Sequence, residues 1–227
     1  MGKQEINNDF GSVSVFYEHF YSKILHGGTV GAGAVRITHE KMEKIHNLAF
    51  YSQVLEIGGG AGEHLDYIKH GFDRYLITDI HKPILNKPWK NDIKVFAEIA
   101  DAEDLPFQDS TFDRVVVTCL LHHVYNPEKV LEEILRVLKP SGVATIFLSC
   151  DPGVVTRILR SLTTARSAKR AGFAGYHLMN ARDHRNHVGS LLKIAKYVFR
   201  NQMIRTRYYP FRLPSWNLNG YIIIEIG

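Results

Sequence analysis

Only two cysteines occur in the 227 residues, Cys119 and Cys150. That is too few for a disulfide framework or a thiolate zinc site, and both end apolar runs, where buried free thiols are expected. No uninterrupted apolar run approaches the roughly 18 residues needed to span a bilayer. The opening "MGKQEINNDFGS" is polar and lacks the apolar core of a signal peptide; Ile6 stands where a myristoylation signal needs Ser or Thr. A cytoplasmic protein is the expectation. Internal repeats and low-complexity stretches are missing too. A hydrophobic share of 45% in a chain of this length suits one well-buried domain.

Acids are scarce in one segment. From Asp151 to Arg212 there are thirteen Lys and Arg against two acids, Asp151 and Asp183, a balance of +11. The rest of the chain carries −6, for a total of +5. An asymmetry of that size points to an anionic partner, with a solvated basic face as the plainer alternative.

The chain then divides by pattern. Residues 1–50 read as an N-terminal helical cap, with an amphipathic helix over "VSVFYEHFYSKIL", a glycine-rich joint and a second helix over "THEKMEKIHNLAF". Residues 51–150 alternate apolar strands with helices. The strands are "QVLEIG", "RYLITDI", "IKVFAEI", "TFDRVVVTCLL" and "VATIFLSC". The helices are "AGEHLDYIKHG", closed by Gly71, and "NPEKVLEEILRVLKPSG", capped by Asn126 and ended by Pro140 and Gly142. Such alternation predicts an α/β fold, an open and mainly parallel sheet with helices on both faces. Residues 151–183 form a basic insert with an amphipathic helix over "VVTRILRSLTTAR". Residues 184–227 supply a closing helix, "HRNHVGSLLKIAKYVF", and two last strands, "MIRTRYYPF" and "GYIIIEI".

The stretch "VLEIGGGAGEHL" raises the question of ligand. A strand that ends in glycines and enters a helix lets bare backbone lie against a nucleotide-like molecule. A dinucleotide site wants a third glycine where Glu63 stands, and an acid there would repel a diphosphate. Dinucleotide binding is therefore the less favoured reading.

With Glu56, Gly58, Gly60 and Gly62, this stretch resembles the first motif of the class I S-adenosylmethionine-dependent methyltransferases. Further segments resemble the same family in order: Asp79 at the end of the second strand, "ADAEDLPFQDSTFD", "TCLLHHV", and "EEILRVLKPSGVATI". The resemblance covers about residues 53–148. It implies a Rossmann-like, seven-stranded sheet with an antiparallel last strand, and S-adenosyl-L-methionine as cofactor. It further implies that Asp79 holds the ribose hydroxyls and that Asp101 and Ala102 meet the adenine. Thr118, Cys119 and Leu120 would border the cofactor. Tyr17 and Tyr21, four apart on the first helix, would close over it or simply pack in an amphipathic face.

Methyl transfer to a hydroxyl needs a base, and histidine is the natural candidate. His122 and His123 follow the fourth strand, one of them expected to bond to backbone because adjacent residues point apart. His184 and His187, three apart, are expected on one face at a helix start. A magnesium site from these two and Asp151 is disfavoured, since that ion prefers oxygen ligands, so no metal is expected. For the acceptor, Asp151, Arg157, Arg160 and Arg185 are the candidate contacts. The tail resembles small bacterial methyltransferases of surface-polysaccharide (O-antigen) synthesis. That implies O-methylation of a sugar on an anionic nucleotide- or lipid-linked precursor. The apolar residues between Arg157, Arg160 and Arg166 could rest on the inner face of an anionic membrane. RNA is the rival acceptor, with Tyr208, Tyr209 and Trp216 as possible stacking groups. Nucleic acid is the less favoured partner because those aromatics fall in or near expected core strands.

Overall fold

The computed structural model describes residues 11–21, 24, 30–81, 83, 85 and 89–227. Seven strands form one sheet in the order β3-β2-β1-β4-β5-β7-β6. They are β1 (Phe50–Ile57), β2 (Gly71–Asp79), β3 (Val95–Ile99), β4 (Phe112–Thr118), β5 (Leu138–Ser149), β6 (Ile204–Tyr209) and β7 (Tyr221–Ile226). β1 to β5 pair in parallel, and β7 runs antiparallel between β5 and β6. The helices are α1 (Val13–His19), α2 (Val30–Glu43), α3 (Pro127–Val137), α4 (Val154–Leu162), α5 (Thr164–Arg170), α6 (Tyr176–Asp183) and α7 (Val188–Val198).

Alternation along the strands decides what each face buries. Leu55 and Ile57 of β1, Val115 and Val117 of β4 and Ile146 and Leu148 of β5 point to one face. There they meet Val130, Leu131 and Ile134 of α3 and Leu191 and Ala195 of α7. Val54, Tyr75, Ile77 and Val116 point to the other face, where Met42 of α2 covers them. That second face also carries charge. Arg114 of β4 is wholly buried, and its fork engages the carboxylate of Glu43 on α2, with Nη1 donating to Oε2 at 3.0 Å. His64 shares the same carboxylate through Nε2 at 2.8 Å. A buried guanidinium is tolerated because one carboxylate answers its charge and takes both terminal nitrogens, although its Nε is left without a partner. A third cluster joins Phe16 of α1 to Ala168, Phe173, Tyr176 and Met179, so the N-terminal helix packs on α5 and α6.

Several expected elements change shape. The helix expected from Ala61 to Gly71 is a single 3-10 turn, Glu63–Tyr67, and Gly71 begins β2. Its backbone pairs with the chain at Ala49 and Phe50, and a side chain there would strike the Phe50 ring at 2.6 Å. α2 starts at Val30, inside the glycine-rich joint, so Thr38 sits within the helix instead of starting it. α3 ends at Val137, and Pro140 and Gly142 lie inside β5. The helix expected over "VVTRILRSLTTAR" breaks at Thr163, whose hydroxyl donates back to the Leu159 carbonyl at 2.7 Å, giving α4 and α5. The part of the first helix between Ser22 and Leu25 falls largely outside the described residues.

Candidate active site

The C-terminal ends of β1, β2, β3 and β4 come level, because Ile57 pairs with both Thr78 and Val117 and Asp79 pairs with Ile99. In a sheet whose strand order reverses between β1 and β4, this edge is where a crevice opens. The glycine turn sits there. Gly58, Gly60 and Gly62 have φ of +70°, +53° and +78°, a region that residues with a side chain enter at a cost. Gly58 and Gly59 donate to the Thr78 carbonyl at 2.7 and 3.1 Å, which folds the turn over the end of β2. Gly60 then donates to Oδ2 of Asp79 at 3.2 Å, and His81 donates to its Oδ1 at 3.0 Å. Asp79 is therefore fixed before any ligand arrives.

The neighbouring residues close the hollow. A side chain at Gly58 would lie 2.9 Å from Leu120, so turn and post-β4 loop are in contact. A side chain at Gly60 would have only Glu63 near it, at 3.6 Å, so bare backbone faces open space. Asp101 accepts from Glu103 at 2.9 Å, and Ala102 beside it is buried. Thr118 ends β4, and Cys119 follows in a left-handed conformation with φ of +56°. Tyr21 faces the same space. Burial pushes its phenol well above the ordinary range, followed by the charges of Glu63, Cys119, Asp183 and Asp79. Glu56 lies beneath the turn, 1% exposed, and accepts from the Tyr75 hydroxyl at 2.9 Å. Burial raises its carboxyl to about 7, and a side chain at Gly59 would meet it at 2.9 Å, so it supports the turn from behind.

Next to this hollow stand two imidazole–carboxylate pairs. Nδ1 of His123 is 3.1 Å from Oδ1 of Asp183, and Tyr17 donates to the other oxygen, Oδ2, at 2.9 Å. Nδ1 of His184 is 2.7 Å from Oδ2 of Asp151, which Arg160 clamps from its other side. The His184 ring meets the His123 ring edge-on, with centroids 4.8 Å apart, and stacks on His122 at 5.2 Å. The pairs differ in charge. Burial lowers His123, but bonding to Asp183 and Cys119 outweighs it and lifts the imidazole to about 10. Burial lowers His184 below the ordinary imidazole range, opposed by its contact with Asp151 and helped by the charges of His123 and Arg160, which favours the neutral ring. Asp151 and Asp183 are held below the ordinary carboxylate range by their imidazole and guanidinium partners despite burial.

Several expected site residues fall elsewhere. His122 is wholly buried, its Nδ1 2.8 Å from the Asn186 carbonyl, and burial lowers it to about 3. It is the backbone-bonded member of the "HH" pair. His184 and His187 do not share a helix face. His184 ends α6, and His187 precedes α7 and lines a shallow hollow with Pro152, Lys193 and Trp216. The reason is Asn186, whose amide donates to the carbonyls of Leu121 and Val124, while Arg185 and Asn186 backbone amides donate to His122. Those bonds hold 184–187 extended against the post-β4 loop. Arg160 is spent on Asp151, Arg185 stacks on Tyr125 at 4.1 Å, and Arg157 is exposed on α4. The residue missed as a site member is Asp183. Its signal was present: an acid standing nearly alone in a basic tract needs a buried reason to be there.

The donor atoms of His123, Asp183 and His184 lie within 4.8 Å of one another, a grouping that could hold a metal ion. The pairing of His123 with Asp183 uses the same lone pairs, so a divalent ion and this imidazolium–carboxylate pair exclude one another.

Comparison with known proteins fits this edge of the sheet. Residues 55–146 match the family model described as a methyltransferase domain. A 138-residue stretch is 38% identical to mouse "Arginine-hydroxylase NDUFAF5, mitochondrial", covering 58% of this chain and 39% of that protein. A 150-residue stretch is 31% identical to the ubiquinone/menaquinone biosynthesis C-methyltransferase UbiE of Rickettsia prowazekii, covering 60% and 57%. The chain thus spans well under two thirds of these relatives. An S-adenosylmethionine-dependent methyltransferase from Mesorhizobium loti has the same fold at TM-score 0.56 and 15% identity, over 88% of this chain and 98% of that one.

Proposed function

We propose that this chain is a class I S-adenosylmethionine-dependent methyltransferase, a reading its domain match and fold support, and that it methylates a hydroxyl group, with a sugar on an anionic nucleotide- or lipid-linked precursor as the expected acceptor. The cofactor is S-adenosyl-L-methionine, and the hollow fits it. Backbone at Gly60 faces open space, and the carboxylates around it, Asp79, Asp101 and Glu63, suit a cationic nucleoside and would repel a diphosphate. Asp79 would hold the ribose, Asp101 and Ala102 the adenine, and Gly58 to Gly62 the methionyl portion. Thr118, Cys119 and Leu120 would border it, with Tyr17 and Tyr21 as the cover. Bound there, it supplies an electrophilic methyl carbon.

The single observation that carries the acceptor chemistry is the pair of imidazole–carboxylate contacts beside the hollow, His123 on Asp183 and His184 on Asp151. His184 is kept neutral, and with Nδ1 turned to Asp151 its Nε2 lone pair is the one left to take a proton. His123 is kept as an imidazolium, which lowers the acidity barrier of a hydroxyl beside it. His184 would take the acceptor's O–H proton, and the cofactor held at the glycine turn would supply the methyl group that the oxygen receives. Asp183 and Tyr17 fix His123; Asp151 and Arg160 fix His184. His184→Gln should lower turnover on the order of 100-fold or more and spare cofactor affinity.

A second reading has one observation in its favour: the apolar residues of α4 beside Asp151 are exposed and would suit a lipid-like acceptor. Methylation of a ring carbon activated by its own hydroxyl uses the same pair of histidines, and UbiE is a C-methyltransferase by name. Incubation with methyl-labelled cofactor and separate pools of sugar nucleotides, lipid-linked sugars, quinone precursors and RNA decides. Label in a methyl ether supports the first reading; label on carbon or in RNA overturns it.

A further inference from the structure

The strongly amphipathic helix α4 turns its polar side inward and its apolar side to solvent. Thr156 is buried and donates to the Asn219 carbonyl at 3.2 Å, and Arg160 reaches in to Asp151. Val154, Ile158 and Leu162, spaced by four along one face, are 49%, 54% and 51% exposed, with Leu159 beside them at 48%. The connection between β6 and β7 continues this surface. Its Asn217 caps α4 by accepting from Val154 at 3.0 Å, and it exposes Phe211, Leu213 and Leu218 by half or more of their surface, or close to it. Seven large apolar side chains at one end of the molecule exceed the scattered exposure normal for a protein surface.

Charge selects the occupant. Arg157 lies next to Ile158 on α4, Arg212 stands between Phe211 and Leu213, and Arg166 follows on α5; all three are exposed. The two acids of residues 151–212 cannot offset them at the surface, because Asp151 and Asp183 are both turned inward on histidines. Aliphatic side chains bordered by guanidinium groups, with no acid among them, match the boundary of an anionic bilayer, where apolar groups enter the acyl region and cations meet headgroup phosphates. A protein partner or a second copy of this chain would be expected to set acids against those arginines, and this surface has none to offer in return. We propose that α4 and the 211–218 connection form a docking surface for an anionic phospholipid membrane. No helix among the described residues is long and apolar enough to cross a membrane, so the contact is peripheral.

The proposal is independent of which acceptor is methylated, and its test involves no methyl transfer. The full chain is sedimented with vesicles of phosphatidylcholine alone and with vesicles that also contain phosphatidylglycerol. Binding to the anionic vesicles, and little to the neutral ones, is expected. Ile158→Ser with Leu162→Ser should weaken it about tenfold or more. Arg166→Gln with Arg212→Gln should weaken it to a similar degree and flatten its dependence on salt. All four positions are on the surface, so the variants should keep the parent's melting temperature. Equal binding to both vesicle types, or none to the anionic ones at low salt, overturns the proposal. So does a dimer in light scattering that the Ile158 and Leu162 changes dissolve, since a second copy would then be the occupant.

Discussion

Acidification from pH 7 to pH 5 should destabilise the protein, and the buried histidines set how much. His46, His70 and His122 are almost wholly buried and are lowered, mainly by burial, to about 3, about 4 and about 3. Each is neutral in the folded protein and takes a proton in the unfolded chain near 6.5. Such a group lends stability above 6.5 that is lost as pH falls towards the folded value. Between pH 7 and 5 the unfolded chain gains about 2 kcal/mol from each ring, or roughly 6 kcal/mol from three. Of the groups with large shifts two oppose this, while Glu225, raised by burial, and His184, lowered by burial, act in opposite senses and offset in part. Glu56, raised to about 7 by burial, is protonated in the fold first and returns about 2 kcal/mol. His123, raised to about 10, already carries its proton throughout this window and returns about 1 kcal/mol as the unfolded ring lags behind. The carboxylates lowered by partners, Glu43 among them at about 2, act mainly below pH 4.5 and contribute little here.

The net loss is about 3 kcal/mol, which for a chain of this size lowers the melting temperature by roughly 6–12 °C. Thermal or urea unfolding at the two pH values, with an unchanged urea slope, measures it. A melting temperature at pH 5 equal to or above that at pH 7 would show that the buried rings are charged in the fold, and the reading of both histidine clusters would fail with it.

Other outcomes follow from the site. Asp79→Ala removes the acceptor of the Gly60 amide and the expected ribose contact, and should weaken S-adenosylmethionine binding by about 1.5–3 kcal/mol in calorimetry; an unchanged affinity refutes the assignment. Turnover against pH should be bell-shaped, with its acid limb below the ordinary imidazole range, where His184 gains a proton, and its alkaline limb near 10, where His123 loses one. An acid limb at or above 6.5 would remove His184 as the base. Arg160→Ala should lower kcat by freeing Asp151, whereas Arg157→Ala should change KM of an anionic acceptor in a salt-dependent way. If both act only on KM, the clamp has no catalytic role. A chelator should leave turnover unchanged and excess zinc should inhibit by taking His123, Asp183 and His184; loss of activity to the chelator would reverse that reading.

What could be read in the sequence was what neighbouring residues encode among themselves. α3 is the clearest case: Asn126 accepts from the Lys129 amide at 3.1 Å and Pro127 opens the helix, so cap and first turn are written within four residues. The glycine turn is similar, since three left-handed positions two apart leave glycine as the residue that fits without strain. The turn after Gly62 was misread because its shape is decided from outside. His64 and Leu65 are drawn into the core, His64 by a carboxylate twenty-one positions away, and the segment tightens into one 3-10 turn instead of a helix.

The same distinction explains the polar cluster. Tyr17 and Asp183 lie 166 positions apart, and Asp151 meets His184 across the whole of α4, α5 and α6. No local pattern can announce such pairs. Composition nonetheless carried a trace of them. A tract with thirteen cations gains nothing for solubility from two isolated acids, and each would lose by burial unless a cation or imidazole waited for it. Asp151 is buried and Asp183 half-buried, and both are answered by a histidine that follows the end of a strand or helix. Scarce residues of one sign inside a tract of the other are therefore better read as members of a buried network than as surface neutralisers, and the partners to look for are the histidines of the same domain. On that logic Asp183→Asn should do more than remove one charge: it leaves the half-buried His123 without its counter-ion, so the imidazole's pKa falls and the alkaline limb of the rate profile moves down from about 10 towards neutrality. An alkaline limb unmoved by Asp183→Asn would separate His123 from the carboxylate that is held here to define it.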